Sequence, residues 1–360
     1  MEFTGNRNDL AEAIVNAANG VPSNPVIPVR AGICVQAAGD YVHFTGSDGD
    51  VTFTSFSTAK VDKGGVVTLP GKLLADIIKS LPDKEVTFTC PNGGADTVTI
   101  SCGRIDFRIQ PYKDPYPGLL KDCESIGAIN SDDFSDAVKA VIPAASKKDS
   151  VQALHGMLLD LDHHGGVLSM VATDRYRVAA CDVTLDAGLD PGPCIIPPWA
   201  ADRFRRGITT STIEIGWDEN LCTMRSANFT LTTRQIAGEY PLWRKFFPDD
   251  QPHSATVNTE ELTGAVRRAQ LTSDVDDPVE LSFTSPYLMV SGGVENSTSD
   301  LVDCPSYTGE TWTGLFGIPY LLDGLAGCEE EVTFGFSDPL KPVSLISGRY
   351  RYTILPRRRT

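Results

Sequence analysis

Apolar residues along this chain switch repeatedly between a helical and a strand period. Leu10, Ala11, Ile14, Val15 and Ala18 follow Asn8-Asp9 at the spacing of a capped amphipathic helix. Alternating runs over residues 33–37, 41–45 and 51–56 predict strands. The last two are joined through Ser47-Asp48-Gly49-Asp50, a hairpin signal. Leu69-Pro70-Gly71 opens a second helix carrying Leu73, Leu74, Ile77, Ile78 and Leu81, and Asn92-Gly93-Gly94 marks a further turn between strands. The order then recurs. Ser131-Asp132-Asp133 precedes a helix with Phe134, Ala137, Val138 and Val141; strands cover residues 156–161, 167–172 and 178–183; Pro197-Pro198 starts a helix through Trp199, Phe204 and Arg206. In the last third Asn258-Thr259, with Glu261 at capping-box spacing, starts a helix, and Ile318-Pro319 starts another with Tyr320, Leu321, Leu322 and Leu325. First helices thus begin near 8, 131 and 258, second helices near 71, 198 and 319.

The residues repeat as well as the pattern. Cys102-Gly103-Arg104-Ile105-Asp106-Phe107-Arg108-Ile109-Gln110-Pro111 is echoed, 245 residues later, by Ser347-Gly348-Arg349-Tyr350-Arg351-Tyr352-Thr353-Ile354-Leu355-Pro356. Asn228-Phe229-Thr230-Leu231-Thr232 stands between them, and Tyr116-Pro117 recurs 124 residues on as Tyr240-Pro241. A period this long is a repeated domain rather than a solenoid unit. The expected domains are 1–124, 125–252 and 253–360, packed end to end without a low-complexity linker, and three such domains suggest a curved or ring-like assembly.

Composition narrows the function. With 41% hydrophobic and 22% charged residues the chain can build ordinary cores, and a net charge of −16 argues against a simple basic nucleic-acid binder. Nine dispersed cysteines without a C-x-x-C pair fit reduced thiols in a cytoplasmic protein. The N-terminus has no signal-peptide pattern and no apolar run reaches membrane-spanning length. There is no G-x-S-x-G, Walker loop, H-E-x-x-H or Cys–His metal spacing, so neither an enzyme nor a metal or cofactor is expected. His163-His164 reads as a solvated hairpin tip, and Asp160, Asp162 and Asp174 are not spaced as an acid/base pair.

Leu154-His155-Gly156-Met157-Leu158-Leu159, then Val171-Ala172-Thr173-Asp174-Arg175-Tyr176-Arg177-Val178-Ala179, then Gly238-Glu239-Tyr240-Pro241-Leu242-Trp243-Arg244, and finally Tyr352-Thr353-Ile354-Leu355-Pro356-Arg357, resemble the bacterial DNA polymerase III beta subunit, the sliding clamp. The resemblance spans the chain. It implies an α+β fold of three repeated DNA-clamp domains, each two helices on antiparallel sheets, and a six-domain ring made by a head-to-tail homodimer. It implies a processivity factor that encircles duplex DNA non-specifically and tethers DNA polymerase, clamp loader and repair proteins. Topological linkage would let an acidic protein stay on an acidic polymer.

The resemblance also implies a cleft between the second and third domains for short Leu/Phe-bearing peptides. Its residues here are Leu154, Thr173, Arg175, Tyr176, Arg177, Val178, Pro241, Lys245, Phe246, Thr353, Leu355, Pro356 and Arg357. Burying two apolar anchors supplies roughly 3–6 kcal/mol before ordering costs, which suits exchanging partners. By periodicity alone, Leu154, Val178 and Leu355 read as ordinary core residues. Phe246 and Arg357 stand where many family members carry aliphatic residues, so a narrower and more cationic cleft is expected. Candidate DNA contacts are Lys72, Lys79, Lys139, Lys147, Lys148, Arg203, Arg205, Arg206, Arg267 and Arg268, each of which also fits a solvated helix face. Ile77, Ile78 and Leu81 on one side, and Gln270 and Leu271 on the other, are the expected dimer contacts. The rival readings are a phage-encoded or inhibitor-resistance clamp copy with an altered cleft, and a monomeric adaptor that never closes.

Overall fold

The computed structural model describes residues 1–91, 97–162, 166–187, 191–247, 251–274, 277–293 and 296–358. The Asn92-Gly93-Gly94 turn and the His163-His164 tip lie outside the described residues. Six α-helices are present among them: α1 (Arg7–Ala18), α2 (Gly71–Ser80), α3 (Ser131–Val141), α4 (Pro198–Arg206), α5 (Thr259–Gln270) and α6 (Ile318–Leu325). Two fall in each predicted third. The first starts one residue earlier than the pattern suggests, because Asn6, not Asn8, is the cap and accepts the Asn8 N–H at 2.8 Å. At α5 the Asn258 side chain accepts the Glu261 N–H at 3.0 Å, satisfying one of the donors a helix start leaves open.

Among the described residues all the strands pair antiparallel, in four sheets. The chain divides into two compact units, residues 1–131, 186–191 and 199–235 in one, and residues 132–185, 192–198 and 236–360 in the other. The units cut across the three repeats because the two large sheets do. In the first unit a nine-stranded sheet pairs Phe229–Arg234 with Val51–Thr58, joining strands of the second repeat to strands of the first. In the second unit an eight-stranded sheet pairs Arg177–Thr184 with Tyr350–Ile354, joining the second repeat to the third. Among the described residues the second repeat therefore contributes five strands to the first unit's sheet and four to the second's.

In the first unit a five-stranded sheet runs from Lys60–Lys63 through Glu2–Asn6, Glu85–Thr89 and Val98–Cys102 to Ile105–Ile109. Its inner face packs Phe3, Phe88 and Ile100 against Leu10 and Ile14 of α1 and Leu74 and Ile78 of α2. This core corrects one expectation. Ile77, Ile78 and Leu81 are 7%, 0% and 4% exposed, so their side chains hold this domain together and offer no surface to a partner. Leu73, half-exposed on the same helix, and Ile105, on the edge strand, are the apolar groups that face outward there.

Each large sheet is crossed on one face by the segment that follows a Tyr-Pro pair. In the first unit the Cys123 N–H donates to Thr223 Oγ1 at 2.9 Å and Thr232 Oγ1 donates to Asp122 at 2.6 Å. The approach is close enough that a Cβ on Gly216 would sit 1.9 Å from the Glu124 carbonyl oxygen, so only glycine fits. In the second unit Tyr240 donates to the Val171 carbonyl at 3.3 Å and the Trp243 indole N–H donates to Asp160 at 2.7 Å.

Candidate functional site

All thirteen residues expected in the cleft lie in the second unit, twelve of them on three stretches around the Arg177–Thr184 and Tyr350–Ile354 pairing and Leu154 on the separate 3-10 turn Gln152–His155. The first stretch is the turn between the strands Val167–Thr173 and Arg177–Thr184. Asp174 accepts the backbone N–H groups of Tyr176 and Arg177 at 3.1 and 3.2 Å. Thr173 Oγ1 donates to the Arg177 carbonyl at 2.7 Å and accepts the Arg175 N–H at 3.2 Å. Such side-chain-to-backbone bonds are how Asp and Thr specify a tight turn. Arg175 adopts φ +76°, uncommon for a residue with a Cβ, and its guanidinium is tied to both oxygens of Asp149 at 2.7 and 2.8 Å. The Val151 N–H, and then Arg175, hold the Asp149 carboxyl below the usual carboxylate range.

Arg177 is a correction to the expected cleft wall. It is 7% exposed, and its guanidinium is used inside the protein: by Asp174 at 2.9 Å, by Asp323 at 2.6 Å, by the Pro143 carbonyl, and by the face of Tyr320 at 4.2 Å. It fixes the turn from beneath rather than presenting charge to a ligand. Leu154 and Val178 are likewise buried, at 2% and 4% exposed. Val178 belongs to an apolar cluster with Ala153, Leu158, Val171, Ala180, Ile195 and Trp243.

The exposed wall is made by other groups. Tyr176, pushed out by the turn, is 61% exposed, and its carbonyl accepts the Leu355 N–H at 2.9 Å. Leu355 is 39% exposed, Pro356 is half-buried, and the Arg357 N–H donates to the Leu315 carbonyl at 2.7 Å. The third stretch is a short 3-10 turn, Trp243–Phe246, pinned by the Trp243–Asp160 bond and by Arg244 on the same carboxylate. It sets out Lys245 and Phe246, and Thr353 Oγ1 donates to the Phe246 carbonyl at 3.0 Å. Leu242, 69% exposed and absent from the expected set, joins this wall. Its signal was an apolar residue directly after Tyr240-Pro241, where the chain must cross the sheet. Tyr176, Leu242, Phe246 and Leu355 are thus the exposed apolar side chains of this strip, in which a backbone bond links Leu355 to Tyr176 and the Thr353 hydroxyl holds the Phe246 carbonyl.

The basic residues expected to meet DNA divide into two groups. Lys72 and Lys79 on α2, Lys139 on α3, Lys147 and Lys148 beyond it, and Arg267 on α5 are exposed. The rest are engaged within their own unit. Arg205 and Arg206 share Asp202, Arg268 pairs with Asp300 at 2.5 Å, and Arg203 donates to the Asn19 carbonyl and lies over Trp199. Gln270 is exposed, and Leu271, just past α5, is 85% exposed. Among the described residues no group of His, Cys, Asp or Glu is placed to hold a metal ion, and no helix is long and apolar enough to cross a membrane.

Three repeats of paired helices on shared antiparallel sheets, with an apolar strip where the second and third repeats join, define a protein of the DNA-clamp class. Residues 1–119, 128–242 and 244–356 match the models of the N-terminal, central and C-terminal domains of the DNA polymerase III beta subunit, in that order. The chain belongs to this family, the bacterial sliding clamps. It is 28% identical to the beta sliding clamp of Streptomyces coelicolor, over 99% of both chains, and 29% identical to the beta sliding clamp homolog GriR of Streptomyces muensis, over 91% of this chain and 89% of that one. Its fold matches the Bacillus subtilis sliding clamp with a TM-score of 0.92 at 23% identity, and the Pseudomonas aeruginosa clamp bound to griselimycin with 0.91 at 22%, each over the whole of both chains.

Proposed function

We propose that this chain is a replication processivity factor that closes as a head-to-tail homodimer around duplex DNA, without catalytic activity of its own, in the cytoplasm. Its three domains span residues 1–124, 125–252 and 253–360. It tethers DNA polymerase, clamp loader and repair proteins through short peptides bearing leucine and phenylalanine. The observation that carries the docking role is the apolar strip of Tyr176, Leu242, Phe246 and Leu355. It offers two kinds of apolar contact beside the exposed cations Lys245 and Arg357. The net charge of −16 favours enclosure over phosphate affinity as the means of staying on DNA. The exposed Leu271 belongs to the dimer contact, with Ile105 and its edge strand opposite.

The test is retention. Protein loaded onto nicked circular DNA by a clamp loader stays bound through a high-salt wash and leaves when the circle is cut once. Equal loss from circular and linear DNA refutes enclosure. A second reading, an additional clamp copy with an altered cleft, rests on Phe246 and Arg357, and an inhibitor that binds ordinary clamps but not this chain favours it.

A further inference from the structure

The first two repeats keep the same register where each large sheet meets its crossing segment, and the difference between them exposes a vacancy. In the second unit the Ile236 N–H donates to the Ile195 carbonyl at 2.8 Å; in the first the Tyr112 N–H donates to the Thr68 carbonyl at 2.9 Å. A Cβ on Gly156 would meet Ile195, Ala153 and Ile236; a Cβ on Gly32 would meet Thr68, Val29 and Tyr112. Cys34 pairs across the sheet with Thr68 as Leu158 pairs with Ile195. The Tyr-Pro pairs extend the match, so Leu119 stands where Trp243 stands.

In the second unit that place is filled. Trp243 is 3% exposed, packs with Leu158, Ile195, Ile236 and Tyr240, and donates its indole N–H to Asp160. In the first unit Leu119 is 46% exposed, and beside it opens a cavity of about 920 Å³ whose walls include Cys34, Val66, Thr68, Tyr112 and Tyr116. Four of these wall residues and Leu119 itself occupy places that the second unit closes or builds around an indole. Gln36 occupies the place of Asp160, is exposed, and carries a carbonyl able to accept an indole N–H.

We propose that this cavity is a docking site for a tryptophan side chain presented by a partner's peptide. The chain's own second unit supplies the template: aliphatic and aromatic walls, one acceptor at the rim, and a flat ring between. The volume exceeds one ring, which leaves room for the residues flanking it, and Lys113 and Asp114 at the mouth provide a charge of each sign for them. The site stands in the other unit from the apolar strip of the clamp cleft and does not depend on that reading.

The probe is acetyl-Leu-Trp-Arg-amide, copying residues 242–244, with 5-fluorotryptophan for fluorine NMR, at millimolar concentration. Saturable binding to the full-length protein is expected. Leu119→Trp, which copies Trp243 into the vacancy, weakens it at least about tenfold by occupying the site. Val66→Arg, at a half-exposed wall position that tolerates the change, does the same without touching the interior. Binding of a Leu/Phe peptide at the clamp cleft stays unchanged in both variants. The proposal is overturned if the probe fails to bind the wild type, or binds Leu119→Trp and Val66→Arg as tightly. Binding of free 5-fluoroindole without binding of the tripeptide overturns the partner-peptide occupant in favour of a small-molecule site.

Discussion

Truncating the exposed wall of the cleft separates docking from folding. Leu355 is 39% exposed and Phe246 is 43% exposed. Full burial of such side chains stabilises by about 1.5–3 kcal/mol, so the share still available to a peptide is about 0.6–1.3 kcal/mol at each position. Leu355→Ala or Phe246→Ala alone then weakens a bound peptide by about threefold to ninefold. The two changes leave the backbone bond from Leu355 to Tyr176 and the Thr353 hydroxyl bond to the Phe246 carbonyl in place, so the strip keeps its frame. If the two contacts act independently, the double variant loses about 1.2–2.6 kcal/mol, or about sevenfold to eightyfold. Fluorescence anisotropy with a peptide carrying Gln, Leu and Phe anchors reads this directly, with a thermal melt as the check on folding. Leu154→Arg is a poorer choice. At 2% exposure the new guanidinium would be buried without a partner, and lost binding could not be told from lost structure. A folded double variant that binds within twofold of the wild type refutes the assignment of this strip as the docking wall.

Arg177→Leu strips the mostly buried Asp174 of its ion-pair partner and also releases the part-exposed Asp323, with an expected loss of about 1–3 kcal/mol in urea denaturation; a loss under about 0.5 kcal/mol contradicts the turn-fixing role given to this side chain. Burial lifts the Tyr116 phenol to about 12, against an ordinary value of 10. A raised folded value means that its contribution is complete below about pH 10 and is lost as pH rises toward 12. Alkaline unfolding followed by tyrosinate absorbance should therefore start later in Tyr116→Phe, while at neutral pH that variant is weaker by about 0.5–1.5 kcal/mol, because the Ser47 N–H loses its acceptor.

The helices were legible because their signals are local. Asn258 with Glu261, Pro70-Gly71 and Ile318-Pro319 mark starts that the structure keeps within a residue. The Gly-Arg motif was legible too, and its reason is now physical: Gly103 and Gly348 turn their hairpins at φ +61° and +54°. The middle copy reads more faintly since Ala227 takes the turn there, at φ +35°. What sequence could not show depends on distant partners. The strand Glu2–Asn6 has no strong alternation of its own and exists because Glu85–Thr89 and Lys60–Lys63 pair with it. Helix periodicity marked Ile77 and Ile78 as apolar without saying that the chain's own core already uses them. Arg177 belonged to the right motif, but Asp323 and Pro143, far away in sequence, decide that its charge points inward.

The same register that reveals the vacancy beside Leu119 explains why, among the described residues, a threefold repeat carries one apolar strip of this kind on its two large sheets. Thr52 pairs with Thr232 in the first unit as Val178 pairs with Thr353 in the second. Around that pair the first unit has Thr45, Thr54 and Thr68 where the second has Val171, Ala180 and Ile195, and Arg30 where the second has Leu154. The hydroxyls are already spoken for: Thr45 with Thr54 at 3.2 Å, and Thr232 with Asp122 at 2.6 Å. Asp122 itself stands in the place of Phe246. An apolar anchor laid there would displace satisfied polar groups for little burial of hydrocarbon, whereas over Val178 it meets only aliphatic surface. Backbone repetition builds two equivalent junctions, and the exchange of a threonine row for a valine and isoleucine row leaves one of them fit to hold a leucine. Stoichiometry for the Leu/Phe-bearing peptide should accordingly be one per chain, set by side chains on a scaffold that would otherwise allow two.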